Sequence, residues 1–185
     1  MVETWLRIER RLAQLGCLDA MGLRPGASAD EIARLESHLG VALPDSVKQS
    51  LAIHDGQDGF GLVYGTELLS IAGIRREWDN WRALDEDAMN AESADMMGSV
   101  PPGFIKPLYC NRAWIPLTHD GGGNHMGLDF DPDSFGQRAQ VIAFGRDEEM
   151  KRLLANSFET FFAACAAWLE RATWNGVHVE AGDSL

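Results

Sequence analysis

The chain has 185 residues, 45% hydrophobic and 24% charged, which suffices for one packed core and is too apolar for a disordered chain. Its formal net charge of −12 opposes nucleic-acid phosphates and anionic lipid surfaces, setting both aside as partners; it would speed association with a basic protein or simply keep the chain soluble, and charge alone does not decide between these. Cys17, Cys110 and Cys165 stand far apart with no CxxC, so neither a disulfide framework nor a cysteine zinc site is expected, and the three read as reduced thiols.

No apolar run approaches the roughly 18 residues that a membrane helix needs. Met1 to Leu15 mixes Glu3, Arg7, Glu9, Arg10 and Arg11 with apolar residues, the pattern of an amphipathic helix and not of a secretory signal. A cytoplasmic location is the expectation. That first helix spans Val2 to Leu15, with Trp5, Ile8, Leu12 and Leu15 on one stripe and Gly16 as its stop. Ser28 and Glu31 then form a capping box for a second helix carrying Ile32, Leu35 and Leu39, and Gly40 closes it. Pro44 opens a short third helix with Val47, Leu51 and His54 facing inward, ended by Asp55-Gly56.

The period then changes. Phe60, Leu62 and Tyr64 alternate, Gly65-Thr66 makes a turn, and Leu69 and Ile71 alternate again, which predicts a β-hairpin. Helical spacing returns with Ile74, Trp78, Trp81 and Leu84, and the acidic stretch from Asp85 to Asp95 reads as a solvated helix end. Pro101-Pro102-Gly103 marks a loop. Trp114 to Leu117, Met126 to Phe130 and Gln140 to Phe144 are predicted strands. Asp147 to Asn156 reads as helix, and Ser157 starts a last helix through Ala172 with Phe158, Phe161, Phe162, Cys165, Trp168 and Leu169 on its apolar face. The tail from Asn175 to Leu185 is expected to fray. The order places an α+β fold: a central, mostly antiparallel sheet with N- and C-terminal helices packed on it, one domain over 1–174 and a flexible tail over 175–185.

The densest polar segment runs from Thr118 to His125, followed by Asp129, Asp131 and Asp133. Its three glycines lack the lysine and following helix of a phosphate loop. The three aspartates match positions 1, 3 and 5 of a calcium loop, yet Ser134 stands where glycine is needed and Gln140 where the bidentate glutamate belongs. Asp120 and Asn124 suit hydrogen bonds to the turn backbone. His119 and His125 lack a spacing that fixes them on one face, and no serine or cysteine sits in a nucleophile motif. No catalytic residue, metal ligand or cofactor is assigned. Trp78 and Trp81, beside Arg75, Arg76 and Arg82, are candidates for a partly exposed interface helix.

Several segments together resemble the SUKH superfamily, which groups fungal regulators of cell-wall assembly and glucan synthesis with bacterial toxin-immunity proteins. They are Gly26-Ala27-Ser28 with Glu31-Ile32 and Leu35-Glu36, Leu43-Pro44, His54-Asp55-Gly56-Gln57, Trp114-Ile115-Pro116-Leu117, Asp120-Gly121-Gly122-Gly123-Asn124, Leu128-Asp129 with Asp131-Pro132, Gln140-Val141-Ile142 with Phe144, and Ser157-Phe158 with Phe161-Phe162. Where the family often has glycine before the Gln-Val-Ile strand, this chain has Ala139. The resemblance implies a non-catalytic protein-binding module, first of all an immunity-type protein that neutralises a basic, nuclease-type toxin. The alternatives are a regulatory or scaffolding protein of cell-wall or envelope synthesis, and a ligand binder or enzyme using the His119–Asp133 loop. The residues expected to contact a partner or ligand are Asp55, Asp120, Asn124, Asp129, Asp131, Trp78 and Trp81; the oligomeric state stays open.

Overall fold

The computed structural model describes residues 1–59 and 61–181, so Phe60 and the last four residues of the expected tail lie outside it. The fold is α+β and divides into two compact units, Met1–Ile71 with Glu159–Leu185, and Ala72–Phe158.

The first unit holds α1 (Val2–Leu15), α2 (Leu18–Met21), α3 (Ala29–Leu39), α4 (Asp45–Ile53) and the short β1 (Glu67–Leu68). Trp5, Ile8 and Leu12 are buried along α1 as their spacing requires. The capping box on α3 forms: Glu31 N–H donates to Ser28 Oγ at 3.3 Å and Ser28 N–H to Glu31 Oε2 at 2.8 Å. Trp5 Nε1 donates to Ser50 Oγ at 3.0 Å, and His54 joins α4 to α1 through Glu9 Oε1 at 2.7 Å. Tyr64 (φ 50°) and Gly65 (φ 85°) are left-handed, with Val63 bridging Thr66, so the turn sits one residue earlier than expected. The predicted hairpin stops there, because Ile71 begins a helix and not a second strand.

That helix is α5 (Ile71–Arg82), and the second unit continues with α6 (Glu86–Ser93), β2 (Gly98–Val100), β3 (Trp114–Pro116), β4 (Thr118–His119), β5 (Asn124–Asp129), β6 (Gln140–Gly145) and β7 (Met150–Ala155). Asp85 caps α6 by accepting from Ala88 N–H at 3.1 Å. The five-stranded sheet has the order β2-β7-β6-β5-β3. Its pairs are antiparallel except β2 with β7, which is parallel. β6 is buried at every residue, which is why it reads as an unbroken apolar run. Ile105, Trp114, Ile142 and Phe144 form a core cluster, with Phe104, Leu108 and Leu153 against it.

The expected helix over Asp147–Asn156 is corrected: its centre is strand β7. Lys, Arg and Leu are good helix formers, but pairing with β6 on one side and β2 on the other outweighs propensity. The chain ends in α7 (Phe158–Arg171), β8 (Thr173–Trp174) and β9 (Val179–Glu180), which belong to the first unit from Glu159 onward. Arg11 donates to the carbonyls of Leu169 and Ala172 at 3.0 and 2.8 Å, closing the C-terminal end of α7 with a cation. β8 and β9 pair antiparallel, and Val179 is buried. All three cysteines are free and buried, and burial raises each thiol pKa, that of Cys165 to about 12.

Ala139 has φ 65°, the left-handed backbone that favours the glycine often found there in the family pattern. Ala139→Gly is expected to raise unfolding stability by about 1 kcal/mol. Denaturant titration checks this, and a loss of stability would refute it.

Lys151 on β7 is fully buried. Its ammonium donates to the Glu148 carbonyl and lies 5.9 Å from the ring centres of both Tyr109 and Trp114. Desolvation lowers its pKa from 10.5 to about 8, against the raising influence of Glu148, Cys110 and Glu149. Between those values the unfolded chain binds more protons than the folded one, so this group makes stability rise with pH from about 8 to 10.5. Below about 8 the full cost remains, on the order of 3 kcal/mol. Subtracting the stability profile of Lys151→Met from that of wild type should leave a rise across this window, with the variant more stable at pH 7; a flat difference contradicts it.

Candidate functional site

In the second unit, α5, β5 and the segments around Tyr109 and Arg146 form an open cleft of about 250 Å³, lined by Glu77, Asn80, Trp81, Leu84, Tyr109, Gly123, His125 and Arg146. Trp81 sits at its centre, 6.0 Å from the ring of Tyr109, 6.1 Å from His125 and 6.4 Å from Phe144, all tilted or edge-on. His125 faces Phe144 across the β5–β6 ladder, and this register puts it in the cleft wall.

His125 is buried, and its Nδ1–H donates to the Thr118 carbonyl at 2.7 Å. That bond assigns the tautomer and leaves Nε2 as an acceptor. Desolvation lowers the His125 pKa, with the neighbouring His119 adding to the effect, so the ring is neutral at pH 7. Glu77 is also buried; Oε1 accepts from Arg76 Nε at 2.9 Å, and Asn80 Nδ2 reaches Oε2 only at 3.5 Å. A carboxylate oxygen is therefore left with spare acceptor capacity in the cleft.

The glycine-rich turn is a closed hydrogen-bonded unit. Asp120 Oδ1 accepts from the N–H groups of Gly122 (2.7 Å) and Asn124 (2.9 Å), and Oδ2 from Asn124 Nδ2 (2.8 Å). Partial burial raises the Asp120 pKa, but the donors of Asn124 and Gly122 together outweigh it and leave it below the ordinary value. Asn124 Oδ1 accepts from Asp147 N–H at 2.8 Å, tying the turn to the segment after β6.

Of the seven residues expected to contact a partner, Trp81 lines the cleft, while Asp120 and Asn124 build the turn that carries Gly123. Trp78 is buried, donates to the Arg112 carbonyl at 2.9 Å and carries the Arg82 guanidinium 4.4 Å above its ring. Asp129 is fully buried and accepts from Trp114 Nε1 (3.2 Å), Gln140 Nε2 (2.9 Å) and Asp131 N–H (2.9 Å). Asp131 is bonded by Lys106 Nζ at 2.6 Å and Asn111 Nδ2 at 2.9 Å. In the first unit, Asp55 accepts from Ile71 N–H at 2.7 Å, and Gln57 is buried between the Met21 carbonyl and Leu68 N–H. No group of three His, Cys, Asp or Glu residues among the described residues could hold a metal ion. Sequence reasoning missed Glu77, Tyr109 and Arg146. Glu77 carried a faint signal, one turn before Trp81 on the same helix.

The structure defines an α+β fold whose second unit carries an aromatic cleft with buried hydrogen-bond acceptors. A family model described as SMI1 / KNR4 family (SUKH-1) matches residues 26–164. The chain belongs to that family. It is 35% identical to the cell wall biosynthesis/cell cycle regulator smi1 of Schizosaccharomyces pombe, over 93% of this chain and 36% of that protein. It is 31% identical to the glucan synthesis regulatory protein of Neurospora crassa, over 82% of this chain and 35% of the relative. The cell wall assembly regulator SMI1 of Saccharomyces cerevisiae is likewise 31% identical, over 78% and 35%. The chain thus spans about a third of the length of these relatives. No helix among the described residues is long and apolar enough to cross a membrane.

Asp129→Ala is expected to destabilise the fold by about 3 kcal/mol, because Trp114 and Gln140 lose a buried acceptor. Asp129→Asn, which keeps one acceptor oxygen, should cost less. Equal losses in denaturant midpoint for the two variants would show that the acceptor is not what matters.

Proposed function

We propose that this chain is a non-catalytic, protein-binding regulatory domain of the kind used in cell-wall or envelope synthesis. The observation that carries the reading is its similarity, over most of its length, to proteins named as regulators of cell-wall assembly and glucan synthesis. The cleft agrees with it. Its lining offers aromatic surface and acceptors but no serine, cysteine, threonine or lysine, and the His125 Nδ1–H is committed to a backbone carbonyl with no carboxylate behind it. Such a surface suits recognition better than covalent chemistry. The immunity-type reading rests on the net charge of −12 and the wider superfamily, and the named relatives favour regulation over it.

Capture of the tagged chain's partners from its own cells, at low and high salt, decides between them. A reproducible set of wall- or envelope-synthesis proteins is expected. A single basic nuclease-type protein, lost as salt rises, would overturn this reading in favour of immunity.

A further inference from the structure

The cleft has a definite ligand chemistry. Two half-buried aromatic rings, Trp81 and Tyr109, line it 6.0 Å apart at 57°. The inner polar groups are acceptors: the buried Glu77 carboxylate, with one oxygen weakly engaged, and neutral His125, whose remaining ring nitrogen is a lone pair. Aromatic faces together with a partly desolvated carboxylate attract cations, through the ring quadrupole and by charge. A planar, donor-rich cation uses both features best, stacking on a ring while directing N–H groups to Glu77 and His125. An arginine side chain fits a space of about 250 Å³.

Two cations bear on the site. Arg76 already bonds Glu77, from the exposed side and to Oε1, which leaves Oε2, engaged only by Asn80 Nδ2 at 3.5 Å, as the acceptor for an incoming guanidinium. Arg146 is exposed and belongs to the lining, where it opposes a second cation. The net charge of −12 brings basic segments to the protein in the first place.

We propose that the cleft of Trp81, Tyr109, His125 and Glu77 receives an arginine side chain from a basic segment of a partner protein. This rests on the protein-binding reading and names the chemistry of what is bound.

The test titrates acetyl-Gly-Arg-Gly-amide into the full chain and follows the Trp81 indole N–H by NMR, assigned by its loss in Trp81→Phe. The same peptide with citrulline, a neutral isostere of arginine, is the control. A saturable shift with arginine and none with citrulline is expected. Glu77→Gln should weaken binding by about fivefold, the equivalent of one partly screened ion pair, and Arg146→Ala, which removes the opposing cation, should tighten it. Equal shifts from both peptides, or no saturable shift with either, would overturn the assignment. So would loss of binding in Arg146→Ala, because a lining cation that opposes the guanidinium cannot be what holds it. The arginine–citrulline comparison uses unmutated protein, so it decides even if a variant fails to fold. Absent peptide binding alongside intact capture of wall-synthesis proteins would reject the cleft and keep the domain's proposed role; peptide binding without such capture would do the reverse.

Discussion

Asp129 ends β5 with its carboxylate out of water, and donors from Trp114, Gln140 and Asp131 converge on it. Burial raises its pKa more than these donors lower it, so the site is tolerable only with all of them present. The three donors come from β3, β6 and the loop after β5, and one side chain therefore holds the end of the ladder in register. Asp120 does the same at the opposite end, by closing the turn that leads into β5. Between the two, Gly127 passes so close to β3 that an added Cβ would lie 2.1 Å from the Ile115 carbonyl oxygen. A slip of one residue would turn His125 to the other face and place a side chain where only glycine fits. The cleft wall is thus a consequence of register.

Much of the first unit was legible because its signals are local. The capping box of Ser28 and Glu31, the stop at Gly40 and the stripe of Trp5, Ile8 and Leu12 each depend on neighbours within about one or two helical turns. The motif His54-Asp55-Gly56-Gln57 was visible as a pattern, but its use was not. Gln57 and Asp55 hold segments 11 to 36 residues away, and no spacing rule reports that. β7 was misread for a related reason. Lys151 looks like an exposed helical residue, and only partners on both sides of the strand make it a buried one. At Ala139 the glycine of the family pattern is gone, yet the backbone there is left-handed all the same.

The candidate site was half legible. Trp81 and the glycine-rich turn stood out separately, as an aromatic on a helix and a cluster of turn formers, over 35 residues apart in sequence. What joins them is the β5–β6 ladder, which sets His125 opposite Phe144 and both against Trp81. Tyr109 and Arg146 lie on loops or strand ends whose positions follow from the sheet alone, so nothing local marked them.

In the proposed recognition of a basic segment, net charge and cleft act at different ranges, and the difference bears on specificity. An excess of negative charge draws in basic surfaces, but at physiological salt that attraction fades beyond roughly 8 Å and does not distinguish one basic protein from another. Discrimination has to come from groups already out of water when contact is made. Glu77 and His125 meet that condition because packing has removed most of their hydration beforehand. A ligand that supplies donors to both keeps these acceptors bonded as water leaves the cleft, whereas an aliphatic one leaves them unmet. The rings add contact area without adding conformational freedom to lose, since the Trp81 ring is already held by Tyr109, His125 and Phe144. Steering by the whole chain and selection by a few preorganised side chains are therefore separable, and substitutions at acidic surface residues remote from the cleft should alter association rates while leaving the choice of partner intact.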